Sequence, residues 1–267
     1  MSEDVKITKK NGILEVKLNK PKVNAIDHSM SRKIAKAFTE LNDDKDLKVG
    51  IITAEGSRIF SAGWDLKALN SGDIKLENWW EDGDYGNGGF AGLTENWTLN
   101  KPVIAALNGL VIGGGFEIAM SCDLLIASDH IEFGLPEIPL GIVPDAGALQ
   151  RLPKRLPYNI AMEMFLLGRR LNTNEALQFG LINKVVPYKD LMESTYNWAE
   201  KLANSAPLAI QSIKEVLRNT DGLGLEETFK KMRDGSLEVY NKMLKSDDAE
   251  EGVRAWVEKR QPKFKGK

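Results

Sequence analysis

Apolar and polar residues alternate from Ile13 to Leu18, the period of a strand with one face buried. A helical spacing of apolar residues follows from Ser29 to Leu41, and Lys48–Thr53 is a shorter apolar run. Val103–Leu107 and Leu110–Ile112 are short apolar runs joined by Asn108-Gly109, and Leu124–Ala127 is another. Buried strands alternating with helices predict an α/β layer architecture. The stretch from Asp73 to Gly92 breaks the pattern. It is rich in glycine and acidic residues, carries Trp79-Trp80, and is expected to be a long surface loop or partly ordered lid. Beyond about Pro144 the pattern is helical to the end, with Asn172 or Thr173 capping a helix that carries Glu175 in its first turn and stops before Gly180. Further helices are expected at Leu191–Ala203, Leu208–Arg218, Leu225–Leu244 and Asp247–Glu258.

The 267 residues allow one large domain, or one domain with an appendage. A hydrophobic content of 42% with 28% charged residues is that of a globular chain with a sizeable core. The 36 basic and 38 acidic residues give a net charge of −2, which disfavours a nucleic-acid partner because phosphate binding needs a basic excess. The single cysteine, Cys122, excludes an intrachain disulfide and reads as a small core residue in a reducing compartment. The start, MSEDVKITKK, lacks the basic-then-apolar order of a signal peptide. The longest apolar run, Pro102 to Met120, contains Asn108, Gly109, a glycine triplet and Glu117, which a membrane span would avoid. A cytoplasmic protein without a membrane partner is the expectation.

Several catalytic devices are missing. His28 and His130 are the two histidines; neither neighbours a nucleophile motif, and both are expected on the surface or in turns. Gly86-x-Gly88-x-x-Ala91 fits a loose dinucleotide pattern but follows no strand. No Cys/His cluster has metal spacing, so no metal is expected. What remains is Gly113-Gly114-Gly115-Phe116-Glu117, directly after an apolar strand. Glycines there either serve tight strand–helix packing or leave the amides of the helix start open to an oxyanion. Glu117 sits in the first turn of an otherwise apolar helix, as a capping glutamate or as an acid–base group whose burial opposes ionisation. Glu137, in Phe133–Gly141, is read as the lone charge of an apolar, proline-stiffened run that continues to Gly147, an unusual setting for a solvated carboxylate. Two shielded carboxylates on different elements suit paired acid–base work. Small residues in Phe60–Leu66 (FSAGWDL) again precede a helix start and expose an amide at Trp64.

Together these motifs resemble the crotonase superfamily, the enoyl-CoA hydratase and isomerase fold. The resemblance runs from about Ile13 to the end and includes Lys20-Pro21-Lys22-x-Asn24-Ala25, FSAGWDL, NGLVIGGGFE, FGLPEIPLGIVP and the terminal Glu258-Lys259-Arg260-x-Pro262-x-Phe264-Lys265-Gly266. It implies a ββα spiral as the catalytic core, residues 1–200, and a helical C-terminal region, residues 201–267, that drives assembly into trimers or dimers of trimers. It implies that the amides of Trp64 and Gly114 form an oxyanion hole, each such donor being worth roughly 3 kcal/mol. Glu117 and Glu137 fall on the two positions that hydratases fill with glutamate. Lys22 to Ala25 and Ala62 to Leu66, with Asp65 among them, are expected to border coenzyme A, as is the basic tail from Lys259 to Lys267, unless that tail is simply a solvated C-terminus. Coenzyme A is then part of an acyl thioester substrate, and no separate cofactor is implied.

Within the superfamily, FSAGWDLKA, GNGGFAGLTE and GIVPDAG look like the carnitine branch, chiefly through the tryptophan at position 64. Ala148-Leu149-Gln150 and the loop with Trp79-Trp80 depart from that branch, and both are expected near the acyl group. Isomerisation, generic short-chain hydration and an RNA-binding role are the competing expectations.

Overall fold

The apolar runs become strands that leave alternately for two sheets. In this computed structural model, which describes residues 3–69 and 76–267, the first half of the chain holds β1 (Val5–Lys10), β2 (Ile13–Leu18), α1 (His28–Asp43), β3 (Val49–Ala54), β4 (Ile59–Ser61), α2 (Leu66–Leu69) and α3 (Trp79–Asp82). There follow β5 (Val103–Leu107), β6 (Leu110–Ile112), α4 (Gly114–Ser121), β7 (Leu124–Ser128), β8 (Glu132–Gly134), α5 (Ala148–Arg155), α6 (Tyr158–Leu167), β9 (Leu171–Asn172), α7 (Thr173–Gln178) and β10 (Lys184–Val186). Five helices close the chain: α8 (Leu191–Ala203), α9 (Pro207–Thr220), α10 (Leu225–Arg233), α11 (Glu238–Leu244) and α12 (Asp247–Val257). Among the described residues no helix is long and apolar enough to cross a membrane.

The larger sheet has the order β1-β2-β3-β5-β7-β10, and the smaller one β4-β6-β8-β9. Each of the pairs β3/β4, β5/β6 and β7/β8 gives its first strand to the large sheet and its second to the small one, all parallel to their predecessors. That repetition is the ββα spiral. The central strands are buried on both faces, which is why they read as unbroken apolar runs. In β5, Val103, Ala105 and Leu107 enter the main core between the sheets and α4, whereas Ile104 and Ala106 face α8 through Leu191 and Ala199.

Three expectations need correction. The segment after Pro144 is not helical throughout: β9 and β10 are two- and three-residue strands whose pairing partners, β8 and β7, lie far away in sequence. Leu225–Leu244 is two helices rather than one. Gly235, at φ +83°, stops α10, and the carboxylate of Glu215 on α9 accepts from the amides of Val239 (3.1 Å) and Tyr240 (2.8 Å), capping α11 from outside. The third concerns the tryptophan segment. Its residues 73–75 lie outside the described residues, but Trp79, Tyr85 and Phe90 are buried, so residues 79–92 are no surface loop. Ser31 of α1 donates to the carbonyl of Tyr85 (2.7 Å) and accepts from the amide of Ala91 (2.9 Å), while Gly92 lets the chain lie against Ala35.

The capping expected at Asn172 is present in full. Asn172 accepts from the amide of Glu175 (3.0 Å), and the Glu175 carboxylate accepts in return from the amide of Asn172 (3.1 Å). The C-terminal tail is held by its own neighbours: Asp248 accepts from the amides of Lys265 (2.6 Å) and Gly266 (2.7 Å), and Arg260 pairs with Glu251 and Glu258.

Candidate active site

At the end of β6 the chain turns through Gly113 (φ +54°) into α4. A Cβ placed on Gly115 would stand 2.4 Å from the carbonyl oxygen of Ser61, and one on Gly63 (φ +80°) 2.4 Å from the amide nitrogen of Gly114. The glycine triplet thus serves close packing of the strand end and the Gly63 turn on the helix start. Backbone packs on backbone, and this packing sets the turn at Gly63-Trp64 beside the first amide of α4. Ile26 donates to the carbonyl of Gly63 (2.7 Å) and accepts from the amide of Asp65 (3.0 Å). In such a parallel bridge the residue between, Trp64, turns its own N–H away from its partner. Gly114 opens its helix and has no carbonyl behind it to receive its N–H. Two unengaged amides thus lie next to each other, with the positive end of α4 behind one of them.

Glu117, one turn into α4, is 2% exposed, and its Oε1 accepts from the amide of Ala148 at 3.0 Å. Burial pushes its carboxyl up to about 8; the Ala148 amide opposes the shift, and the charges of Glu137 and Asp145 add to it. Glu137 precedes a single 3₁₀ turn, Ile138–Leu140, that ends at Gly141 in the left-handed region. It is 8% exposed, and its Oε2 is buried without a hydrogen-bond partner. Burial and the charge of Asp145 push it up to about 7. Gly113 lets it approach: a Cβ there would lie 2.9 Å from Glu137 Oε1. Ala62, Trp64, Leu66, Gly113, Gly114, Glu117 and Glu137 line one cavity of about 90 Å³.

Asp145 lines the same cavity, and sequence reading passed over it although it lies in the apolar run that continues to Gly147. Its flanking Pro144 and Ala146 are the signal that would have found it. Trp80 donates its indole N–H to Asp145 Oδ2 at 2.7 Å. Burial raises the Asp145 carboxyl above the usual range, and the Trp80 and Trp79 indoles counter that shift. Behind it is an aromatic cluster. Trp64 stacks on Phe90 (centroids 4.3 Å apart) and on Trp79 (5.4 Å), and meets Tyr85 edge-on at 4.9 Å. His28 belongs to this cluster, with its ring 4.8 Å from Tyr85 and Nε2 buried without a partner, so the expectation of a surface or turn residue is overturned for it. His130 does lie in an exposed turn, its Nε2 2.7 Å from the carbonyl of Ser57.

The remaining expected residues stand outside the cavity. Lys22 is exposed at φ +73°, and Ala25 is half-buried beside the Ile26–Trp64 bridge. Asp65 pairs with Lys20 (2.9 Å) and accepts from the amide of Lys67 (3.2 Å) at the start of α2; Lys20 also holds Asp27, the cap of α1, at 2.6 Å. This ion pair ties the 20–27 segment to the turn that carries the Trp64 amide. Cys122 is buried at the end of α4, as a small core residue. Among the described residues no group of three or more His, Cys, Asp or Glu side chains could hold a metal ion.

The sequence profile of the enoyl-CoA hydratase/isomerase family matches residues 8–267. A carnitinyl-CoA dehydratase from Proteus mirabilis is 49% identical over 267 residues, covering all of both chains, and one from Salmonella typhimurium is 48% identical over the same span. Among solved structures, an enoyl-CoA hydratase from Mycobacterium marinum superposes with a TM-score of 0.86 at 34% identity, covering 99% of each chain. One from Geobacillus kaustophilus gives 0.87 at 32% identity, covering 100% of this chain and 98% of that one.

Proposed function

Since the chain belongs to the enoyl-CoA hydratase/isomerase family, we propose that it adds and removes water across the Cα–Cβ bond of an enoyl-CoA thioester, with crotonobetainyl-CoA and carnitinyl-CoA as the substrate pair. The observation that carries this is the convergence of two buried, proton-retaining glutamates with two unengaged amides on one small cavity. An isomerase needs one carboxyl to move a proton between carbons. Addition of water needs a second that handles oxygen.

The order of ionisation assigns the roles. Burial raises all three carboxyls, Glu117 to about 8 and the less deeply buried Glu137 to about 7, with Asp145 adding to both. Near neutral pH the glutamate pair holds one proton, and burial keeps it on Glu117. In dehydration Glu137 takes the Cα proton, and the electron pair moves onto the thioester oxygen, where the amides of Trp64 and Gly114 receive it. As the enolate collapses, Glu117 gives its proton to the departing β-hydroxyl and water leaves. The pair has exchanged its single proton from one glutamate to the other, which is the state hydration starts from. Oε1 of Glu117 is engaged by the Ala148 amide, and the scheme assigns the proton exchange with water to its other oxygen.

The relatives named carnitinyl-CoA dehydratase and the aromatic surroundings of Trp64 support a trimethylammonium-bearing acyl group, which has no N–H to donate and is best met by ring faces. Leu66, Leu140 and Val143, each exposed on the rim, offer an apolar entrance for a pantetheine arm, with Lys22, Ala25, Ala62 and Asp65 assigned to the coenzyme A side. Coenzyme A enters as part of the substrate, and no separate cofactor takes part in this scheme. The helices after residue 200 are assigned to self-association as a trimer or a pair of trimers, and the reduced, buried Cys122 accords with the cytoplasm. Loss of the conjugated thioester absorbance, followed with crotonobetainyl-CoA and crotonyl-CoA, tests the reading. A higher kcat/KM for the cationic substrate is expected; preference for crotonyl-CoA moves the protein to generic short-chain hydration. Inactivity on both with salt-dependent RNA binding moves it out of enzymology.

A further inference from the structure

Asp145 has a place that neither proton transfer nor the oxyanion hole uses. Of the residues lining the catalytic cavity and the larger cavity of about 840 Å³ next to it, Asp145 alone belongs to both. Among the described residues no cation pairs with it. Its hydrogen-bond partners are the neutral indoles of Trp80 and Trp79, and the charges it influences are the acidic groups Glu117, Glu137 and Tyr85. Arg151, which also lines the larger cavity, is spent elsewhere: its guanidinium donates to the carbonyl of Thr94 and acts on Glu117. Arg155 donates to the carbonyl of Cys122 (3.2 Å). The Glu137 oxygen left without a partner marks the same cavity as incomplete without a ligand. A half-buried carboxylate held by neutral indole N–H groups with no counter-ion is costly unless a cation arrives with the substrate.

We propose that Asp145, oriented by the Trp80 indole at the junction of the two cavities, is the counter-ion for a fixed positive charge on the acyl group and thereby sets the enzyme's preference for cationic over neutral enoyl thioesters. This rests on the proposed trimethylammonium substrate and names the residue that selects it. In that acyl group the nitrogen is one methylene beyond Cβ, so a site for its charge has to adjoin Glu117, as the Asp145 site does. The rings of Trp79, Trp80 and Tyr85 enclose the methyl groups, and Asp145 supplies the charge they lack.

The experiment compares crotonobetainyl-CoA with its neutral isostere 5,5-dimethylhex-2-enoyl-CoA, in which carbon replaces the quaternary nitrogen. Wild type is expected to prefer the cationic thioester. Asp145→Asn keeps an oxygen for the Trp80 N–H and removes the charge, so kcat/KM for the cationic substrate should fall further than that for the isostere, by about tenfold or more. Asp145→Glu should recover part of the preference. Trp80→Phe, which removes one of the two indoles that hold the carboxylate, should give a smaller selective loss, so the proposal stays open to refutation even if the Asn variant fails to fold. A wild type that prefers the isostere refutes the cationic-substrate reading and this assignment with it. A wild type that prefers the cation, with equal losses on both substrates in every folded variant, overturns the role of Asp145 alone.

Discussion

Glu117 and Ala148 are joined by a hydrogen bond of 3.0 Å, from the Ala148 amide to Oε1 of the carboxyl. Ala148 opens α5, so the first turns of α4 and α5 meet on one side chain. The bond fixes the rotamer of Glu117 while burial keeps the group protonated. Gln at this position would keep the acceptor and lose the proton exchange, which makes it the informative substitution.

Glu117→Gln and Glu137→Gln are each expected to lower kcat for hydration and dehydration by at least about two orders of magnitude, the usual scale of acid–base catalysis. Steady-state assays with circular dichroism as the folding control check this. Retention of more than a tenth of the activity by either folded variant would remove that glutamate from the mechanism.

The pH–rate profile should be bell-shaped. Catalysis needs one proton on the pair, so kcat/KM should fall below about 7, where Glu137 is protonated, and above about 8, where Glu117 ionises. A profile flat from pH 6 to 9 would contradict the assignment.

Stability carries the same signature. The Glu117 pKa is raised in the folded state from 4.5 to about 8, so the unfolded chain releases this proton first. Stability from this group is therefore complete below pH 4.5 and is lost as pH rises towards 8. Glu117→Gln should lose less Tm than wild type between pH 5 and pH 9, as thermal melts at the two values would record. Parallel losses would show that Glu117 is not buried as described.

Gly63 and Gly56 are a matched pair. Both have φ near +80°, yet a Cβ on Gly56 meets nothing within 4 Å while one on Gly63 strikes the backbone of Gly114. Gly56→Ala should cost only the conformational strain, about 1–2 kcal/mol. Gly63→Ala should cost more and should also lower kcat by about tenfold or more, because it displaces the Trp64 and Gly114 amides. Chemical denaturation and kinetics of the two variants side by side decide it.

Light scattering at micromolar concentration should return a trimer or a multiple of it. Leu217 on α9 and Val253, Trp256 and Val257 on α12 are largely exposed in the single chain, with Trp256 at 85%. Trp256→Asp should weaken the assembly. A monomeric wild type would overturn the trimer.

The strands and helices that could be read from the sequence were those whose own pattern was long enough to show. β2 and α8 have the bounds their periodicity implies, and the α7 cap was legible because Asn172 and Glu175 interact locally. Asn11-Gly12, both at positive φ, would have revealed the β1–β2 hairpin, whose register closes from Lys10 to Ile13. The strands β4, β8, β9 and β10 have at most three residues and exist only through distant partners, so no local pattern marks them.

The site divides in the same way. Residue type and apolar context by themselves singled out Glu117, Glu137 and the glycine triplet, because a carboxylate or a run of glycines in an apolar segment conflicts with simple burial, whereas the pairing of the Trp64 and Gly114 amides came from the family resemblance. Their convergence on one cavity, the proton order of the pair, the aromatic cluster around Trp64 and His28, and the position of Asp145 came only with the tertiary structure. The order of ionisation is set by mutual distance and by exclusion of water, and neither exists until α4, α5, the Gly63 turn and the 3₁₀ turn after Glu137 have packed together.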